Sequence, residues 1–365
     1  MLSFLKKEPV LSAAAVCAVL SMFVVPPSAA YLSYIDVRVL CLLFCLMAIV
    51  AGLQSCGVFL VLAEGLLRGR KNMRLLSLLL VLLPFFSAML ITNDVALITF
   101  VPFTLLILDL ADAKERTIPI VVLQTMAANL GSMATPVGNP QNLFLCAAYG
   151  LSAADFFGTM LPLTLVSLIG LSIGAMVTKS CVIEVHFPEK STLINPKKLL
   201  VYVVLFFFSL LSVFHVLHYG ILTVLVLICI AVLQPQILKK VDYKLLLTFV
   251  FFFLFAGNMG EIPALQHLLA GWMEKNAALT SLFASQIISN VPAAVLLAGF
   301  TDQWQGLLTG VNIGGLGTPI ASLASLISLR FYCASPQGRT GAYLKVFTAC
   351  NVAGLVILYL FYVLF

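Results

Sequence analysis

Long apolar runs divided by short polar breakers set the pattern along this chain. Nine of the runs read as membrane spans, at approximately 9–25, 35–66, 117–149, 153–178, 199–217, 220–238, 243–270, 304–331 and 341–364. A helix needs about 20 apolar residues to cross a bilayer. Two further apolar segments, 73–110 and 277–300, are interrupted half-way by Thr92-Asn93-Asp94 and by Ser289-Asn290-Val291-Pro292. Polar backbone at membrane depth survives only where protein or a water-filled cavity surrounds it. Both segments therefore read as re-entrant helical hairpins that enter and leave on one side.

Composition narrows the class. Of 365 residues, 62% are apolar and only 9% charged, where a soluble domain carries about 25% charged. The chain has room for many spans and almost none for a separate soluble domain. Its net charge of +6 reads as anchoring charge, not as a nucleic-acid footprint. With Lys6 and Lys7 in the cytoplasm, the basic positions Arg68, Arg70, Lys71, Arg74, Lys114, Arg116, Lys179, Lys190, Lys197, Lys198, Lys239, Lys240, Lys244, Arg330, Arg339 and Lys345 also fall inside, and only Arg38 and Lys275 fall outside. That partition follows the positive-inside rule. It predicts a multi-pass protein of a bacterial inner membrane with a cytoplasmic N-terminus. Val10 to Val25 followed by Ser28-Ala29-Ala30 has the look of a cleavable signal peptide, but the repeat pattern needs a helix there, so it is read as an uncleaved span. Nine cysteines form no CxxC pair or Cys/His cluster and signal neither metal nor disulfides.

The chain also resembles itself. Ile35-Asp36-Val37-Arg38 and Val241-Asp242-Tyr243-Lys244 open spans in the same style, and Ala51-Gly52 is matched by Ala256-Gly257. Thr92-Asn93-Asp94-Val95-Ala96 pairs with Ser289-Asn290-Val291-Pro292-Ala293, and Thr135-Pro136 with Thr318-Pro319. Five crossings separate the two starts, so the second copy enters with opposite orientation. The expected fold is an all-α polytopic membrane protein of two inverted-topology repeats with broken helices and two re-entrant hairpins. Its parts are a first repeat over 1–178, a cytoplasmic loop and linking span over 179–219, and a second repeat over 220–365. Such repeats are the architecture of secondary transporters, with the site between them near the midplane.

The interruptions carry the candidate chemistry. Prolines and glycine in Thr135-Pro136-Val137-Gly138-Asn139-Pro140-Gln141-Asn142 forbid a continuous helix. Freed carbonyls suit a small cation, and the next half-helix offers free N–H groups to an anion. Gly314-Gly315-Leu316-Gly317-Thr318-Pro319 unwinds similarly, Ser322 and Ser325 follow, and the hairpin tips add Thr92, Asn93, Ser289 and Asn290. Asp94 is the sharpest residue, because a carboxylate inside a membrane costs about 2.5–3.5 kcal/mol on insertion scales. It is read as a sodium ligand, a proton carrier, or a cap on a helix starting at Val95. A sodium ion is expected at Asn93, Asp94, Gly138 and Asn290. Glu64 is expected at the interface, and Asp109, Asp112 and Glu115 in a solvated loop. Glu261 is a weaker candidate, and His215 and His218 read as interfacial.

These motifs, with Asn129-Leu130-Gly131 and Asn312-Ile313-Gly314-Gly315, resemble the ion transporter superfamily of citrate permeases, divalent-anion/sodium symporters, arsenite efflux proteins and one branch of sodium/proton antiporters. The resemblance implies a scaffold, a moving transport region and a homodimer. In the dicarboxylate branch Ser-Asn-Thr at each tip binds sodium and carboxylates, whereas both tips here lack the final Thr. No HExxH or Walker loop is present, so no enzyme is expected. The expected activity is cation-coupled transport of a small anion, citrate-like carboxylates first, with no cofactor beyond a coupling sodium ion or proton. Sodium/proton exchange centred on Asp94 and efflux of arsenite or another oxyanion stand as the alternatives.

Overall fold

The computed structural model describes residues 9–67, 69–177, 182–185, 195–336 and 338–365. Lys6, Lys7, Arg68, Lys179, Cys181 and Lys190 lie outside the described residues. The chain is an all-α polytopic membrane protein. Among the described residues, five helices are long and apolar enough to cross a bilayer unaided.

The first half runs through α1 (Pro9–Met22), α2 (Val37–Ser55), α3 (Val58–Leu67), α4 (Met73–Ser87), α5 (Asn93–Leu110), α6 (Thr117–Ser132), α7 (Pro140–Tyr149) and α8 (Ala153–Met176). Helix α9 (Pro196–Val213) links it to the second half. There follow α10 (Tyr219–Leu233), α11 (Tyr243–Gly260), α12 (Pro263–Ile288), α13 (Asn290–Ala298), α14 (Trp304–Ile313), α15 (Leu323–Ala334) and α16 (Thr340–Leu364). Strand β1 (Gly69–Asn72) pairs antiparallel with β2 (Val182–Val185). That pairing ties the end of α3 to the end of α8.

Two expected spans are divided. The run 35–66 breaks at Cys56-Gly57, where Gly57 takes φ 76°, a value glycine adopts without steric cost. Helix α3 is then only about 15 Å long, too short to cross. The run 243–270 ends at Gly260, because Pro263 follows and holds Ile262 extended. Helix α12 in turn loses helical geometry at Asn276 (φ −163°, ψ 90°). The Asn276 side chain accepts from the N–H of Leu279 at 2.8 Å and so starts the hairpin arm. In both halves a long helix therefore leads through a shorter one into a hairpin.

Hydrogen bonds tie element ends together across the chain. On the Lys/Arg-rich face, Ser55 at the end of α2 donates to Gln234 beyond α10 at 3.3 Å. On the opposite face, Arg38 donates to the carbonyl of Ser212 at 3.1 Å and also meets His215. There too the Tyr149 hydroxyl donates to the carbonyls of Ala298 and Thr301 at 3.0 and 2.8 Å. Helix α1 packs against α11, and α10 packs against α2, so the first helix of each half meets the second helix of the other. A buried tie holds the first contact: Asn258 donates to Ser21 and to Tyr31 at 2.8 and 2.9 Å.

Candidate functional site

The two hairpin tips and the two helix breaks converge through one set of hydrogen bonds. The N–H of Asn93 donates to the carbonyl of Gly138 at 3.2 Å, and the N–H of Asn290 donates to that of Ala321 at 2.9 Å. Each tip asparagine then accepts the next backbone N–H, from Asp94 at 3.0 Å and from Val291 at 2.9 Å. The Thr135 hydroxyl donates to the carbonyl of Met89 at 2.6 Å, and the Thr318 hydroxyl to that of Gln286 at 3.2 Å. Every one of these bonds has its counterpart in the other half.

The break asparagines cross between halves. Asn139 donates to Asn312 at 3.1 Å, while Ser322 donates to Asn129 at 2.9 Å. Asn312 donates to Asn142 at 2.7 Å, and Asn129 donates to Ser325 at 3.5 Å. Sequence offset explains the pairing: each second-half residue stands 183 positions after its first-half counterpart. All six side chains are at most 5% exposed, and a buried amide left unpaired costs about 1–3 kcal/mol. The network therefore fixes the two breaks against each other.

Packing brings the backbones close enough for this. A Cβ on Gly131 would sit 2.1 Å from the carbonyl oxygen of Phe85, and one on Gly138 2.2 Å from that of Ser132. Only glycine allows α4 to lie so close on α6.

A small cavity of about 20 Å³ lies where the tips meet. Asn93, Asp94, Ser289, Asn290 and Ser322 line it, together with Pro140, Gln141 and Thr248. The Asp94 carboxylate makes no hydrogen bond or ion pair among the described residues, and no lysine or arginine lines the cavity. Helix α5 begins at Asn93, not Val95, so Asp94 sits in its first turn and does not cap it. There the helix N-terminus favours negative charge.

Residues 2–303 match the citrate transporter family. The chain belongs to that family. An uncharacterized transporter of Methanocaldococcus jannaschii is 32% identical over 294 residues, 79% of this chain and 79% of the relative. Inner membrane protein YbiR of Escherichia coli is 32% identical over 319 residues, 85% of this chain and 84% of the relative. The silicon efflux transporter LSI3 of Oryza sativa subsp. japonica is 33% identical over 132 residues, 35% of this chain and 26% of the relative. The chain is thus a membrane transporter.

In this family member the sequence-predicted residues separate into three groups. Asn93, Asp94, Ser289, Asn290 and Ser322 face the cavity. Asn139, Asn142 and Asn312 brace the breaks, and Gly138 supplies a carbonyl to a tip. Thr135 and Thr318 tie breaks to hairpins, with Thr318 exposed. Thr92 precedes α5 without a side-chain cap bond. Glu64, expected at the interface, is 5% exposed, because it points inward from α3 beside Ala63 and Leu67. Asp109 pairs with Lys114 at 3.0 Å. Glu261 ends α11, where the Tyr34 hydroxyl donates to it at 3.5 Å, away from the cavity.

Sequence reasoning missed Asn129, Gln141, Thr248 and Gln286 as site residues. Gln286 donates to the carbonyls of Gly314 and Leu316 at 2.7 and 3.0 Å and accepts from the N–H of Thr318 at 2.9 Å. Asn129 stood within a quoted motif, and its match to Asn312 was the available signal. Thr248 is a lone hydroxyl in an apolar run and gave none.

Proposed function

We propose that this transporter is a cation-coupled secondary carrier of a small anion that works by alternating access, with citrate-like carboxylates the first candidates. The observation that carries the reading is Asp94: an unpartnered carboxylate among amides and hydroxyls, in a cavity without a basic side chain. A sodium ion or proton on Asp94 removes the cost of a bare charge at that depth. The oxygen ligands that line the cavity for such a cation are the side chains of Asn93, Asp94 and Asn290, and the expected fourth, the backbone of Gly138, lies behind Asn93, whose N–H its carbonyl accepts. The half-helix starting at Pro140 then offers its N–H groups to the anion.

The crossed hydrogen bonds, with their constant offset, support two inverted repeats meeting at the site. The cavity's size supports alternating access: about 20 Å³ admits one water-sized species and no carboxylate. In this reading the structure is a closed state, and the anion enters only when a tip moves. The positive-inside partition supports a bacterial inner membrane location with the N-terminus in the cytoplasm.

A second reading is efflux of an oxyanion or its neutral acid. It draws on the absence of any lysine or arginine from the lining and on the silicon efflux relative. Uptake of radiolabelled citrate, succinate and malate into proteoliposomes, under imposed sodium and proton gradients, separates the two. Gradient-driven uptake of a carboxylate is expected. Sealed vesicles that take up none, yet move arsenite or silicic acid, would favour efflux.

A further inference from the structure

A second cavity, of about 490 Å³, opens on the Lys/Arg-poor face. It lies in line with the small one. Three helices line both cavities at successive levels. On α7, Pro140 and Gln141 face the hairpin cavity, and one turn on, Phe144 and Ala148 face the larger one. On α11 the order is Thr248 and Phe252, then Phe253 and Gly257. On α13 it is Asn290 to Pro292, then Val295, Leu296 and Ala298. The boundary falls at Phe144 and Phe253, whose rings lie 5.8 Å apart and are 6% and 5% exposed.

We infer that the larger cavity is the vestibule of the transport path on this face, and that Phe144 and Phe253 are its closed gate. Two aromatic rings side by side exclude water and any hydrated ion. They also come from helices of different halves, so a relative movement of the halves separates them. Above them the wall is thin and shaped for a close approach: a Cβ on Gly257 would meet the Tyr34 ring at 2.4 Å. On α11 the rings are followed by small residues, Ala256, Gly257 and Gly260. Displacing either ring therefore joins the two cavities. The inference rests on the hairpin cavity being the transport site, but its test reads access and needs no solute.

In a chain whose nine cysteines are replaced, single cysteines are introduced as Ala256→Cys in the vestibule and Val291→Cys in the hairpin cavity. A membrane-impermeant thiol reagent is applied to each face separately, using right-side-out and inverted vesicles. The A256C chain should react from one face only, which also reports that the protein is folded. The V291C chain should be protected from that face with both rings present. Adding Phe253→Ala or Phe144→Ala should speed its reaction from that face about threefold to tenfold, the shift expected from losing one aromatic pair. Phe253→Leu should give a smaller change. V291C that reacts as fast as A256C before truncation would overturn the gate. So would V291C that stays protected after both truncations while A256C still reacts, or that gains reactivity only from the opposite face.

Discussion

The two hairpin-and-break units share a skeleton and differ in what they carry. Tip amide to break carbonyl, tip asparagine to the next N–H, and break threonine to hairpin carbonyl recur in both. Bonds made twice are the means of holding a broken helix at membrane depth. What is made once is where the units differ. Asp94 has Val291 as its counterpart, so the only carboxylate at the tips belongs to the first half. Ser289 takes φ 73° where Thr92 takes −62°, a conformation that non-glycine residues rarely hold without a compensating reason. The first break is buried from Pro136 to Pro140, whereas Thr318 and Ile320 of the second are exposed. One unit is charged and enclosed, the other neutral, strained and open.

The largest effect should come from the residue without a counterpart. Asp94→Asn should reduce gradient-driven flux to background while the purified protein keeps its thermal stability. Next comes the close packing of the first unit: Gly131→Ala forces a methyl into the Phe85 backbone and should destabilise by about 1–3 kcal/mol or more, read as a fall in melting temperature in detergent. Asn129→Ala and Asn312→Ala remove matched members of the crossed network. Each should cost about 1–3 kcal/mol, and a large inequality between them would break the symmetry argued here. Thr135→Ala, in the enclosed unit, should cost about 1 kcal/mol, and Thr318→Ala, in the open one, close to nothing.

The smallest effect lies outside both units. Burial first, and then the neighbouring Arg38 guanidinium, hold the His215 imidazole below the usual histidine range. Its neutral Nδ1 accepts from Arg38. A depressed folded-state value means that stability is present above about pH 6.5 and is lost as pH falls toward the folded value. A modest drop in melting temperature between neutral and mildly acidic pH is expected, and His215→Gln should flatten it.

Much of this was legible in the sequence for a physical reason. Apolar runs and prolines act locally, so most helices and both breaks follow from them. Asn93, Asp94, Ser289, Asn290 and Ser322, which share one cavity lining, stood out because polar residues inside apolar runs are rare. Tertiary placement was not legible. The turn at Gly57 and the end of α11 at Gly260 fall inside apolar runs, so two runs were read as single spans. Glu64 was assigned to the interface from its basic neighbours, but its face of α3 is buried. Gln286 braces the second break from 28 and 30 residues away, and local pattern does not encode that.

The most direct test is electrical. Proteoliposomes on a solid-supported membrane would receive sodium or pH steps with citrate present, wild type beside Asp94→Asn. Transient currents that the substitution abolishes, in protein that remains folded, are the predicted result. Equal currents from both chains would contradict a cation site at Asp94 and with it the coupling mechanism.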